Sequence, residues 1–119
     1  MDIRELTTGE IAVLKAGGVL DRLSAGRLGH GIRSAVNRGC QKIILNLTDI
    51  EQADSRGMGE ILFCCSQSWN QGREILIAGP PEFLRQLMLA SHMVPEGIIC
   101  DSLYDALKRA RGTARSREH

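Results

Sequence analysis

The chain has 119 residues and a mass of 13.0 kDa, room for one domain around one main core. At 43% hydrophobic and 24% charged it is not a mostly disordered chain, and no stretch approaches the roughly 20 apolar residues that span a bilayer. The net charge is +1, unevenly spread: Lys108, Arg109, Arg111, Arg115 and Arg117 against Glu118 give residues 108–119 a net +4 and leave an acidic body at −3, a poor platform for direct nucleic-acid binding.

Residues 2–6 read as a strand, Thr7-Thr8-Gly9-Glu10 as a turn and residues 11–16 as a second strand, the hairpin ending where Gly17-Gly18 breaks the apolar run. A helix over 24–38 follows, with Leu28, Ile32, Ala35 and Val36 in one stripe, Asp21 or Ser24 as its cap and Gly39 as its stop. Gly26, Gly29 and Gly31 each lower helix preference by up to about 1 kcal/mol, so packing must hold this segment, and small residues there suit a close approach to the sheet. Residues 43–47 are apolar and rich in β-branched side chains, the pattern of a central strand, and Thr48–Ala53 reads as a loop.

Met58, Ile61, Leu62, Cys65 and Trp69 then repeat at helical spacing until Gly72. Residues 74–78 form a further strand, closed by Gly79-Pro80-Pro81. Pro81 suits the first turn of a helix that turns Phe83, Leu84, Leu87 and Met88 inward. Residues 97–100 are a short last strand, and Asp101 caps a helix packed through Leu103, Ala106, Leu107 and Ala110. The apolar pattern stops at Gly112, giving a domain over 1–110 and a flexible polar tail over 111–119. The expected class is α/β: a mixed sheet with an N-terminal hairpin, parallel crossovers and about four helices.

Cys40, Cys64, Cys65 and Cys100 match neither a Cys-x-x-Cys redox motif nor paired zinc ligands, and His30, His92 and His119 have no ligand spacing with them. Reduced, mostly buried thiols in a cytoplasmic protein, with no metal, are expected. The acidic N-terminus lacks the basic flank of a signal peptide. The glycines form neither a dinucleotide fingerprint nor a phosphate-binding loop.

One segment carries a mechanism: Ala53-Asp54-Ser55-Arg56-Gly57-Met58-Gly59 leads into the second helix. Asp54 or Ser55 can cap it. Gly57 and Gly59 keep its first turn free of bulk, which either lets another protein approach Ser55 or relieves crowding against the chain's own loops. A phosphate on Ser55 would add about −1.5 to −2 charge beside Asp54, with Asp49 another acidic neighbour in sequence and Arg56 a partial offset. A partner docked over the neutral hydroxyl would then meet repulsion and desolvation, which makes a binary switch.

These residues resemble the STAS domain family, and most closely its stand-alone bacterial anti-sigma factor antagonists. The resemblance covers about residues 2–110. It rests on Gly18-Val19-Leu20-Asp21 before the first helix, Ile43-Ile44-Leu45-Asn46-Leu47 as the central strand, and Asp54-Ser55-Arg56-Gly57-Met58-Gly59, similar to the family's Asp-Ser-Ser/Thr-Gly-Leu-Gly. Arg56 and Met58 depart from that pattern, Met58 mildly because it conserves volume.

The resemblance implies phosphorylation at Ser55 and partner binding through Asp21, Asp54, Ser55, Arg56, Gly57, Met58 and Gly59. The implied partners are an anti-sigma factor with serine kinase activity and a phosphoserine phosphatase. The protein itself would be a substrate and binding module, neither enzyme nor cofactor carrier, because the nucleotide and Mg²⁺ belong to the kinase. The alternatives are a scaffolding STAS protein of a larger signalling complex and an accessory domain of a transport system. Oligomeric state is left open by the sequence.

Overall fold

The computed structural model describes residues 2–92, 94 and 96–117. Strands β1 (Asp2–Thr8) and β2 (Ile11–Leu20) form an antiparallel hairpin turned at Gly9, whose φ of +59° suits glycine. Helix α1 (Arg22–Asn37), strand β3 (Lys42–Ala53), helix α2 (Ser55–Asn70), strand β4 (Glu74–Ala78) and helix α3 (Glu82–Ala90) follow. A 3-10 turn (Glu96–Ile98), strand β5 (Ile99–Cys100) and helix α4 (Leu103–Arg117) complete the chain. The sheet order is β1-β2-β3-β4-β5, parallel after the hairpin. This is the expected α/β architecture.

The sheet separates two apolar clusters. Leu14, Ile43, Leu45, Leu47, Ile75 and Ile77 point to one face, where Leu28 and Ile32 of α1, Ile61 and Leu62 of α2, and Leu84 and Met88 of α3 cover them. Val13, Ile44 and Leu76 point to the other, under Ala106 and Ala110 of α4. Successive strand residues therefore both find cover, which is why β3 and β4 read as unbroken apolar runs. Buried Lys42 keeps its ammonium hydrogen-bonded to the Ala110 carbonyl.

Several boundaries differ from the sequence reading. Strand β2 does not stop at Gly17-Gly18: it passes through a register shift there, with Gly18 at φ +97°, and runs on to Leu20. That extension gives Thr48–Ala53 a pairing partner, so the expected loop is the second half of β3, with Gly17 opposite Asp49 and Leu20 opposite Ala53. On α3 only Leu84 and Met88 are buried, while Phe83 and Leu87 face outward.

The last strand is only two residues long, entered through the 3-10 turn. Ser102 rather than Asp101 caps α4, its Oγ accepting from the Asp105 N–H at 3.2 Å, while Asp101 approaches Arg85 at 3.8 Å. The helix continues past the apolar pattern to Arg117, so the segment expected to follow the domain is helical over 111–117; residues 118–119 lie outside the described residues. Cys40, Cys64, Cys65 and Cys100 are all buried free thiols.

Candidate functional site at the start of the second helix

The parallel strands β2 and β3 end side by side, and each hands its chain to a helix through an aspartate. Asp21 caps α1 in a reciprocal box: its Oδ1 accepts from the Ser24 N–H at 2.9 Å, and Ser24 Oγ accepts from the Asp21 N–H at 2.9 Å. The backbone N–H and hydroxyl of Ser24 both favour the carboxylate and hold Asp21 below its ordinary value. Asp54 caps α2 without the reciprocal half of such a box: its Oδ1 accepts from the Gly57 N–H at 2.7 Å, while its own N–H donates to the Leu20 carbonyl. Of the two capping candidates, Asp54 does the capping and Ser55 becomes the first helical residue.

Ser55 is therefore spared. It is exposed, and its hydroxyl makes no hydrogen bond to the described residues. Arg56 is also exposed and has no ion pair among the described residues. Met58 is buried in the core beneath them. Asp49 sits within β3, paired with Lys15 at 3.2 Å. It lies six residues before Ser55, most of them extended strand, so the adjacent acidic residue is Asp54.

The two glycines have different reasons. A Cβ on Gly57 would stand 2.5 Å from the Leu20 carbonyl oxygen and 2.8 Å from the Asp21 Cα, so this glycine is required by the chain's own packing. A Cβ on Gly59 would meet nothing within 4 Å. Similarly, Gly29 of α1 is glycine because of α2 rather than the sheet: a Cβ there would lie 2.7 Å from Cys64 Sγ. That contact draws the helices together, with their N-terminal ends adjacent.

Three exposed apolar residues escape a reading based on core stripes: Val19 (42% exposed) and Leu23 (80%) at this end, and Phe63 (54%) about two turns into α2. Val19, Leu23 and Arg27 line a shallow cleft of about 390 Å³ with Asp21 and Ser24. Leu23 and Phe63 lie off the stripes that define α1 and α2, and that displacement is the sequence signal that would have found them. Among the described residues no group of three His, Cys, Asp or Glu side chains could hold a metal, and no helix is long and apolar enough to cross a membrane.

The STAS domain model matches residues 3–108. The chain belongs to the STAS domain family. No curated protein matches the sequence, but solved STAS structures do. The anti-sigma factor antagonist SpoIIAA in its unphosphorylated form is 19% identical, with 93% of this chain and 97% of that one covered at a TM-score of 0.77. The Bacillus cell fate determinant SpoIIAA in its phosphorylated form is 20% identical over 92% and 99% of the two chains, at 0.73. A sulfate transporter family protein from Wolinella succinogenes is 16% identical over 92% of each chain, at 0.80. These identities speak for the fold, which regulators and a transporter family share.

Proposed function

We propose that this STAS domain is an anti-sigma factor antagonist switched at Ser55. In the unmodified state it binds an anti-sigma factor that is also a serine kinase, which frees a sigma factor. The kinase transfers the γ-phosphoryl group of ATP to Ser55 Oγ, leaving ADP and a proton, and the modified protein is released. A phosphoserine phosphatase restores the hydroxyl.

The observation that carries this reading is the division of labour between Asp54 and Ser55. Asp54 satisfies the helix start, so Ser55 Oγ is exposed and uncommitted. The open surface around it suits a partner: Gly59 adds no bulk, and Leu23 in the first turn of α1 and Phe63, about two turns along α2, offer apolar anchors. A dianionic phosphate at that point would sit beside Asp54 and inside the covered surface, where charge is costly. Arg56 offsets part of it and gives an acidic partner something to engage.

The purified chain, incubated with ATP and a serine-kinase anti-sigma factor from the same bacterium, is expected to gain one phosphate, mapped to Ser55 by peptide mass spectrometry. Phosphate elsewhere, or none, contradicts the reading. A second reading, an accessory role in a transport system, draws on the likeness to the sulfate transporter family protein. It predicts a stable complex with a membrane transporter that is indifferent to Ser55→Ala.

A further inference from the structure

A cleft of about 500 Å³ opens at the end of the sheet remote from Ser55, and the switching account makes no use of it. Glu74, at its floor, is level with Lys42 at the start of β3, whereas Ser55 follows the end of that strand. The cleft exists because β5 is short. That strand pairs with β4 only at Ile77 and Ala78, so Glu74–Leu76 have no strand beside them on that side. Three unpaired residues are too few to seat an added strand, but the gap has the volume of a small-molecule site.

The walls come from both layers. Trp69, near the end of α2, stands on one face of the sheet and Arg109 of α4 on the other, with Ile98 closing the side. Ile75 turns toward the α2 side and Leu76 toward the α4 side, so strand alternation puts Glu74 with Arg109. Arg73 enters from the connection between α2 and β4. Both guanidiniums are anchored: Arg109 Nη1 donates to the Gly97 carbonyl, and Arg73 Nη1 donates to Gln41 Oε1 at 3.3 Å. The Glu74 backbone N–H donates to the Gln41 carbonyl at 3.0 Å, but its carboxylate has no hydrogen bond or ion pair among the described residues, and Oε1, like Arg73 Nε, is shielded from solvent without a partner.

Each feature selects something. Two arginines against one glutamate favour an anion. The Trp69 indole with Ile75 and Ile98 favours a flat, apolar body. The unsatisfied Glu74 carboxylate favours a ligand that brings a hydrogen-bond donor. We propose that this cleft binds a small planar organic carboxylate that also carries an O–H or N–H donor, such as a hydroxy- or amino-substituted aromatic acid. Such a ligand would give the domain an input at the opposite end from its phosphorylation site.

Trp69 is the only tryptophan, so its indole N–H gives a single reporter in a ¹H–¹⁵N NMR spectrum of the full chain. Titration with 4-hydroxybenzoate is expected to move that signal saturably. Benzoate, lacking the donor, should bind more weakly, and cyclohexylammonium and inorganic phosphate should leave the signal in place. Arg109→Gln should weaken 4-hydroxybenzoate binding about tenfold, the effect of losing one charge-assisted contact. Arg73→Gln, on the other wall, carries the same expectation and serves should Arg109→Gln fail to fold. No saturable shift, equal affinity in the folded variants, or an equal response to inorganic phosphate would overturn the proposal.

Discussion

The carbonyl oxygen of Leu20 accepts a hydrogen bond from the Asp54 N–H at 3.0 Å, and a Cβ on Gly57 would stand 2.5 Å from that same oxygen. One backbone atom thus ties the end of β2 to the start of α2. Relief of the clash requires backbone to move, so Gly57→Ala is expected to destabilise the fold by about 1–3 kcal/mol. The reading is a lower denaturant midpoint at an unchanged slope. Gly59→Ala should do the reverse, raising stability by up to about 1 kcal/mol because helix preference improves and nothing is in the way.

Asp54 has a structural duty that can be separated from any signalling one. Asp54→Ala removes the acceptor of the Gly57 N–H and should cost about 1 kcal/mol, while Asp54→Asn keeps most of that stability. A kinase that still modifies the Asn variant at the normal rate needs the cap; one that does not needs the charge.

Asp21 makes the fold sensitive to acid. Its folded pKa lies below the ordinary value of 3.8, so its contribution is complete above that pH and is lost as the pH falls toward the lowered pKa. Asp21→Asn, which keeps an acceptor oxygen without titrating, should flatten the decline in urea midpoint below pH 4.

Cys65 makes it sensitive to alkali. Burial pushes its thiol up from 9.0 to about 12, so the folded state holds its proton where the unfolded state has lost it. The contribution is complete below pH 9 and is lost as the pH rises toward 12, by about 1.4 kcal/mol per pH unit. Cys65→Ala should remove this slope from unfolding curves taken between pH 9 and 11, at the cost of a small cavity.

The order of elements was legible because each helix carries one stripe and each central strand one short apolar run, as in Met58–Trp69 and Ile43–Leu47. What failed depended on partners distant in sequence. Thr48, Asp49, Glu51 and Gln52 have a loop's composition, but they form a strand because β2 bulges past Gly18 and lies alongside. Phe83 and Leu87 are as apolar as Leu84 and Met88, and only the angle at which α3 meets the sheet decides which pair is buried.

At the site, the motif pointed to Ser55 but left three points open that the geometry decides. Asp54 is the cap, Gly57 is required by Leu20, and Asp49 belongs to Lys15. The Trp69 cleft had no sequence signature, because it is a gap left by a strand that stops early.

The central claim is that one phosphate on Ser55 separates two binding states. Isothermal titration of a serine-kinase anti-sigma factor with unmodified protein, Ser55→Ala and the Ser55-phosphorylated form tests it most directly. The account predicts similar tight binding for the first two and affinity weaker by about tenfold or more for the third. Equal affinity for all three would contradict it.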